Sequence, residues 1–220
     1  PNYEFQIIGL VNDKKNTLEI SLIKEKQTLE QRRLTINLPA STSNIETTLK
    51  TTDGTSTSKL TDGLYTVLGH DKNFNSNIYL YDNNGVMRSE LALKSYRTDR
   101  IVFAANSMIY SYKNNGFIKV NSQGQITDFY TLKGYTMHHD FIYDEKNNSL
   151  VILVNKNGED TIEDFVISLD LKTKEVTELL DLKDYLRDYY NTAVEPANGN
   201  TYGGDELDWI HLNSLQVIDG

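Results

Sequence analysis

The sequence predicts an all-β chain: a small, sandwich-like antiparallel β domain at the N-terminus, then about three blades of a truncated β-propeller. Three observations carry this. Fourteen tyrosines stand against three prolines, a composition of strands rather than helices. Apolar and polar residues alternate at period two through many short segments, as half-buried strands require. Turns opening with Asp or Asn recur at a spacing of blade size.

The N-terminal domain, residues 1–60, is read from three segments. Residues 3–10 read as a strand ending at the polar run 12–16, and residues 17–23 alternate as its partner. Residues 33–38 alternate in the same way and stop at Pro39, so the three make a small antiparallel sheet or half a sandwich. Lys24, Glu25, Lys26, Arg32 and Arg33 read as solvated strand edges. Residues 40–60 are rich in Ser and Thr without strong periodicity and are expected to cross between domains.

The second domain, residues 61–220, has a different rhythm. Residues 78–81 run into Asp82-Asn83-Asn84-Gly85, residues 117–120 into Asn121-Ser122-Gln123-Gly124, and residues 165–169 into Asp170-Leu171-Lys172-Thr173-Lys174; residues 86–91, 125–130 and 175–180 leave these turns. Asp and Asn suit such turns because their side chains bond the backbone just downstream. Further strands are expected over 101–104, 108–112 and 150–154. The turn residues Asp82, Asn121 and Asp170 lie 39 and then 49 residues apart. A period of roughly 40 to 50 with four strands per unit is that of propeller blades. About three blades fit, and closure takes at least about four, so the propeller is expected to be incomplete. Residues 184–190 are expected to form one helix inserted between blades.

Composition narrows the function. There are 22 Lys+Arg against 31 Asp+Glu, a formal charge of −9, which argues against a nucleic-acid surface. No cysteine is present, so thiol nucleophiles, disulfides and cysteine zinc sites are excluded. No apolar run approaches the roughly 20 residues of a membrane helix. Nucleotide-binding, nucleophile-elbow, HExxH and EF-hand motifs are missing, and Gly203-Gly204-Asp205-Glu206 reads as an ordinary turn.

Two segments could carry chemistry. In Met137-His138-His139-Asp140, strand alternation allows only one of His138 and His139 to face a given site. That imidazole, oriented by a carboxylate, would bind an anion or move a proton; the alternative is one surface histidine and one packed beside Asp140. In Asp208-Trp209-Ile210-His211-Leu212-Asn213-Ser214, alternation sets Trp209, His211 and Asn213 on one face and Asp208 on the other. A flat apolar wall, a titratable donor and a neutral amide suit an aromatic ligand bearing an anionic group; the alternative is a blade core centred on Trp209 with the polar pair capping a turn. Residues 215–218 read as a strand entering a turn at Asp219-Gly220. His70 reads as structural or exposed.

These motifs resemble those of bacterial arylsulfate sulfotransferases. The heptad from Asp208 is similar to their DW-x-H-x-NS motif, and His138-His139-Asp140 to their HHD motif. Residues 82–88 are similar to the DxxG-x-x-R hairpin of an early blade, and Ile7-Ile8-Gly9-Leu10 followed by Asn16-Thr17-Leu18 to the start of the family's N-terminal β domain. The resemblance implies a six-bladed propeller and transfer of a sulfuryl group from a phenol ester to another phenol, without cofactor or nucleotide sulfate donor, through a sulfo-histidine. It matches His211, Asn213 and one of His138 and His139, with His139 favoured, to sulfuryl-contacting positions. The nucleophilic histidine and an arginine would lie beyond Gly220, leaving this chain inactive or nearly so. The resemblance also implies an extracytoplasmic location. A homodimer is expected through the N-terminal domain or exposed blade edges. The competing expectation is a non-enzymatic propeller-like surface module.

Overall fold

The structure, a computed structural model, describes residues 2–55, 61–73, 75–94, 98–193 and 206–218. It is all-β, with strands in four small antiparallel sheets. The chain gathers into two compact units, residues 1–97 and 98–220.

In the first unit, β1 (Lys15–Lys24) and β2 (Gln27–Asn37) form a two-stranded hairpin. Its turn is Glu25-Lys26, both with positive φ, 48° and 67°. Two such residues make the tight connection whose twist suits a hairpin, so these charged residues form the turn itself. Arg33 pairs with Glu19 across the hairpin at 2.9 Å. The strand expected over 3–10 does not form: the segment has alternation but no ladder partner, and Tyr3, Phe5 and Ile8 are exposed. The three-stranded expectation is thus reduced to two strands.

The first unit also holds the meander β3 (Leu64–His70), β4 (Ser76–Asp82) and β5 (Met87–Ala92). Residues 41–51 carry no strand, but Thr48 bridges Val86 and Ile45 packs against Tyr79, Tyr81 and Met87.

The second unit contains two four-stranded meanders. One is β6 (Ile101–Ala104), β7 (Ser107–Lys113), β8 (Gly116–Asn121) and β9 (Ile126–Thr131). The other is β10 (Tyr135–Asp144), β11 (Ser149–Lys156), β12 (Phe165–Asp170) and β13 (Val176–Asp181). Their shared core includes Ile109, Phe117, Phe141, Ile152 and Ile167. Phe117 and Phe141 meet edge to face at 4.8 Å, the geometry aromatic rings favour. β11 is buried on both faces over Leu150, Val151, Ile152, Leu153 and Val154. On its second face, Val151 and Leu153 pack with Leu212 and Leu215. That contact seats the motif-bearing residues 206–218 on the sheet.

The three predicted turns share one device. Asp82 Oδ1 accepts from the amides of Asn84 and Val86, Asn121 Oδ1 from Gln123 and Gln125, and Asp170 Oδ1 from Lys172 and Thr173, all within 3.0 Å. Arg88 adds a 2.7 Å ion pair to Asp82.

In place of one helix over 184–190 stand two single turns, α1 (Leu182–Tyr185) and α2 (Arg187–Tyr190). Leu186, at φ −118° and ψ 42°, breaks them. Asp181 caps the first by accepting from the Lys183 amide at 2.9 Å. The helical run therefore starts two residues earlier, where the cap is.

Candidate functional site

The site begins with an irregularity in β10. Its pairing with β11 runs Met137 to Val154 and then Phe141 to Ile152, so β10 carries extra residues over His138, His139 and Asp140. His139 sits at φ +47°, a left-handed conformation uncommon outside glycine and asparagine. A bulge of this kind re-aims side chains. The alternation that would separate the two histidines therefore fails: their rings lie 5.3 Å apart, and His139 lies 5.3 Å from the ring of His211. All three imidazoles enter one cluster.

The loop between β11 and β12 brings the carboxylate at its centre, Glu163. Glu163 has φ +61°, and its amide donates to Asn155 Oδ1 at 2.7 Å. Residues 206–212 lie along this loop: Leu207 donates its amide to the Asp160 carbonyl, Ile162 to the Leu207 carbonyl, and Leu212 to the Glu163 carbonyl, at 2.8, 3.1 and 3.2 Å. Glu163 Oε2 thereby comes within 2.7 Å of His211 Nδ1 and 3.4 Å of His139 Nε2. Asp208 Oδ2 lies 2.6 Å from the same His211 nitrogen.

Residues 206–218 contain no strand, which corrects the predicted face of Trp209, His211 and Asn213 and the predicted strand over 215–218. His211 has φ +52°, and the turn of chain around it brings Asp208 to its side rather than to the opposite face. Trp209 is buried and donates its indole N–H to Asp164 Oδ2 at 2.8 Å, against the rings of Tyr189 and Tyr190. Asn213 is exposed and donates its side-chain amide to the His211 carbonyl at 3.3 Å. The turn read at Asp219-Gly220 and most of that at 203–206 lie outside the described residues.

Asp140 does not orient a histidine. It is buried, takes Arg100 Nε at 3.1 Å, and accepts the Leu215 amide at 2.9 Å, tying the bulge to the C-terminal segment. His70 is exposed, with Nδ1 3.0 Å from the Asp71 carbonyl.

Burial and charge divide the imidazoles. Desolvation, followed by its neighbours His139 and His211, pushes the His138 pKa down to about 3, with the Val154 backbone pulling weakly the other way. His138 is therefore a neutral ring at neutral pH. The hydrogen bond to Asp208 raises the pKa of His211, and the Glu163 charge adds to it. Burial raises the Glu163 carboxyl above its ordinary range, against the pull of His211 and His139. The cluster thus joins an imidazole that favours its proton, one that rejects it, and a buried carboxylate between them.

Sequence reasoning missed Glu163, Asp164 and Arg100. They stand in irregular segments, where no periodicity marks which side chain turns inward. The one signal was chemical: Glu163-Asp164 is an acidic pair directly before the wholly apolar start of β12.

A sequence search among proteins of curated function finds no match to the chain. A family-level comparison matches Arylsulfotransferase (ASST) over residues 49–219, which takes in both histidine motifs and the cluster they build. The chain belongs to the arylsulfotransferase family.

Proposed function

We propose that this cluster takes part in moving a sulfuryl group from an aryl sulfate ester to a phenolic acceptor through a sulfo-histidine. The observation that carries the reading is the convergence of His138, His139 and His211, from two distant segments, on one buried carboxylate. In the transferring state, charge is spread over three sulfuryl oxygens, and fixed donors aimed at them lower the barrier. His211, held toward its protonated form by Asp208, supplies such a donor, and Asn213 and His139 supply others. Trp209, buried against Tyr189 and Tyr190 and bonded to Asp164, is assigned to holding the segment that presents His211 to the substrate.

In the step itself, a neutral imidazole nitrogen attacks sulfur, the bond from sulfur to the aryl oxygen breaks, and the phenolate leaves. The acceptor phenol's oxygen then attacks that sulfur, the bond from sulfur to the imidazole nitrogen breaks and returns the neutral ring, and the phenol's proton passes to the departed phenolate or to water. This reading assigns the three clustered histidines to holding the group, so the nucleophile is a further histidine and the chain alone turns over little. It also takes the meanders β3–β5, β6–β9 and β10–β13 as blades of a six-bladed propeller behind an N-terminal domain over residues 1–60, in an extracytoplasmic protein. Exposed Ile20, Leu22 and Leu34 on the β1–β2 hairpin support homodimer formation there.

Calorimetric titration with p-nitrophenyl sulfate tests the site. Saturable binding that weakens by about tenfold or more in His211→Ala, the loss of one charge-assisted hydrogen bond, supports it. Affinity in both His211→Ala and His139→Ala equal to that of the unmodified chain overturns it. Release of p-nitrophenolate in the presence of phenol, at ordinary enzymatic rates from this chain alone, would remove the separate nucleophile.

A further inference from the structure

We propose that His138, His139 and Glu163 form a binding site for a divalent metal ion of the zinc class. The inference goes beyond sulfuryl transfer and stands without it.

The donor set is the first argument. Two imidazole nitrogens and a carboxylate oxygen suit zinc and its transition-metal neighbours, whereas calcium and magnesium favour oxygen alone. One ligand atom from each of the three residues lies within 4.8 Å of the others. Zinc holds such ligands at about 2.0–2.2 Å, so adjacent donors around a tetrahedral ion stand roughly 3.3–3.5 Å apart. His139 Nε2 and Glu163 Oε2 are 3.4 Å apart, long for a hydrogen bond and already at the spacing of two ligands.

The second argument is polar accounting. His138 Nδ1 and Nε2, His139 Nε2 and Glu163 Oε2 are shut off from water and poorly paired: His138 has only a weak interaction with the Val154 backbone, and His139 only its 3.4 Å approach to Glu163. Buried polar atoms are costly when left unpaired. A cation would satisfy one nitrogen of each ring and the carboxylate between them.

The third argument is support around the ligands. Groups outside the ligand shell that hold the ligands in place are part of a metal site. Asp208 Oδ2 fixes the His211 imidazole by hydrogen bonding its Nδ1 at 2.6 Å; the same nitrogen lies 2.7 Å from Glu163 Oε2, which makes no hydrogen bond of its own. The Glu163 amide is fixed by Asn155. His139 and Glu163 both occupy left-handed backbone conformations, at φ +47° and +61°. These cost energy, and they aim the two side chains at one point. A fourth position remains for water or an incoming ligand. The ion would engage imidazoles that the sulfuryl reading also uses, so metal and aryl sulfate would compete.

The test uses the unmodified chain, free of any affinity tag and stripped of metal. It is titrated with Zn²⁺ by calorimetry and with Co²⁺ by visible absorption. One Zn²⁺ per chain and an intense four-coordinate Co²⁺ band support the proposal. His139→Ala and Glu163→Gln are each expected to weaken binding by about tenfold or more, while His70→Ala binds as the unmodified chain does. No saturable one-to-one uptake together with no Co²⁺ band overturns it, as does affinity in both site variants equal to that of the unmodified chain. The Co²⁺ spectrum needs no variant, so a substitution that unfolds the chain leaves the test standing. Neither measurement contains aryl sulfate, so failure here leaves the p-nitrophenyl sulfate titration to judge the transferase reading separately.

Discussion

Trp209 donates its indole N–H to Asp164 Oδ2 at 2.8 Å, and Asp164 has no exposed surface at all. The bond joins the segment carrying His211 to the loop carrying Glu163. Trp209→Phe keeps most of the apolar surface and removes the donor, leaving a buried carboxyl short of a partner. The expected loss is about 1–3 kcal/mol, read as a lower urea midpoint by far-ultraviolet circular dichroism. An unchanged midpoint would mean that this bond does not hold the two segments together.

Asp140 joins the β10 bulge to the C-terminal segment by accepting the Leu215 amide while paired with Arg100. Asp140→Ala is expected to free that amide at a cost of about 1–3 kcal/mol locally. Hydrogen exchange at Leu215 would then quicken by about tenfold or more, while the amides of β12 keep their protection. Equal exchange at Leu215 in the two proteins counts against the tie.

What was legible in the sequence divides along a physical line. Regular strands announce themselves: the period-two segments feeding Asp82, Asn121 and Asp170 all form hairpins, because local alternation and turn chemistry decide them together. The all-β class followed from the same signals. Where pairing partners decide, alternation misled: residues 3–10 have the pattern and no neighbour, and residues 206–218 have it but lie along a loop. The site was half legible. His138, His139 and His211 were found by residue type and motif, but a bulge and three left-handed residues set their geometry. Positive φ at a histidine or glutamate leaves no mark in composition. The carboxylate that unites the imidazoles, Glu163, was therefore invisible, while Asp140 and Trp209 were given neighbours they do not have.

His139 offers a test of that strained backbone. At φ +47°, a β-branched side chain crowds the preceding peptide, whereas glycine adopts the conformation without penalty. His139→Gly is expected to match or exceed the parent in stability, and His139→Val to lose about 1–3 kcal/mol. Thermal unfolding of the two variants side by side gives the comparison. Equal midpoints would show that the bulge relaxes when the imidazole is gone.

Asp71 supplies a pH prediction away from the histidines. It is buried beside β3, and its carboxylate accepts from the amides of Asn44, Asn73 and Asn75 at 3.1, 2.8 and 2.9 Å. The Asn44 amide contributes most to lowering its pKa from 3.8 to about 2, and burial opposes the shift. A carboxyl whose folded pKa lies below its unfolded value binds fewer protons when folded. Its stabilisation is therefore complete above about pH 4 and is lost as pH falls toward 2. The three donor amides should shift together in nuclear magnetic resonance spectra, with a common midpoint near 2, and Asp71→Asn should abolish the transition. A midpoint at 3.8 or above would mean that the three amides do not favour the charged form.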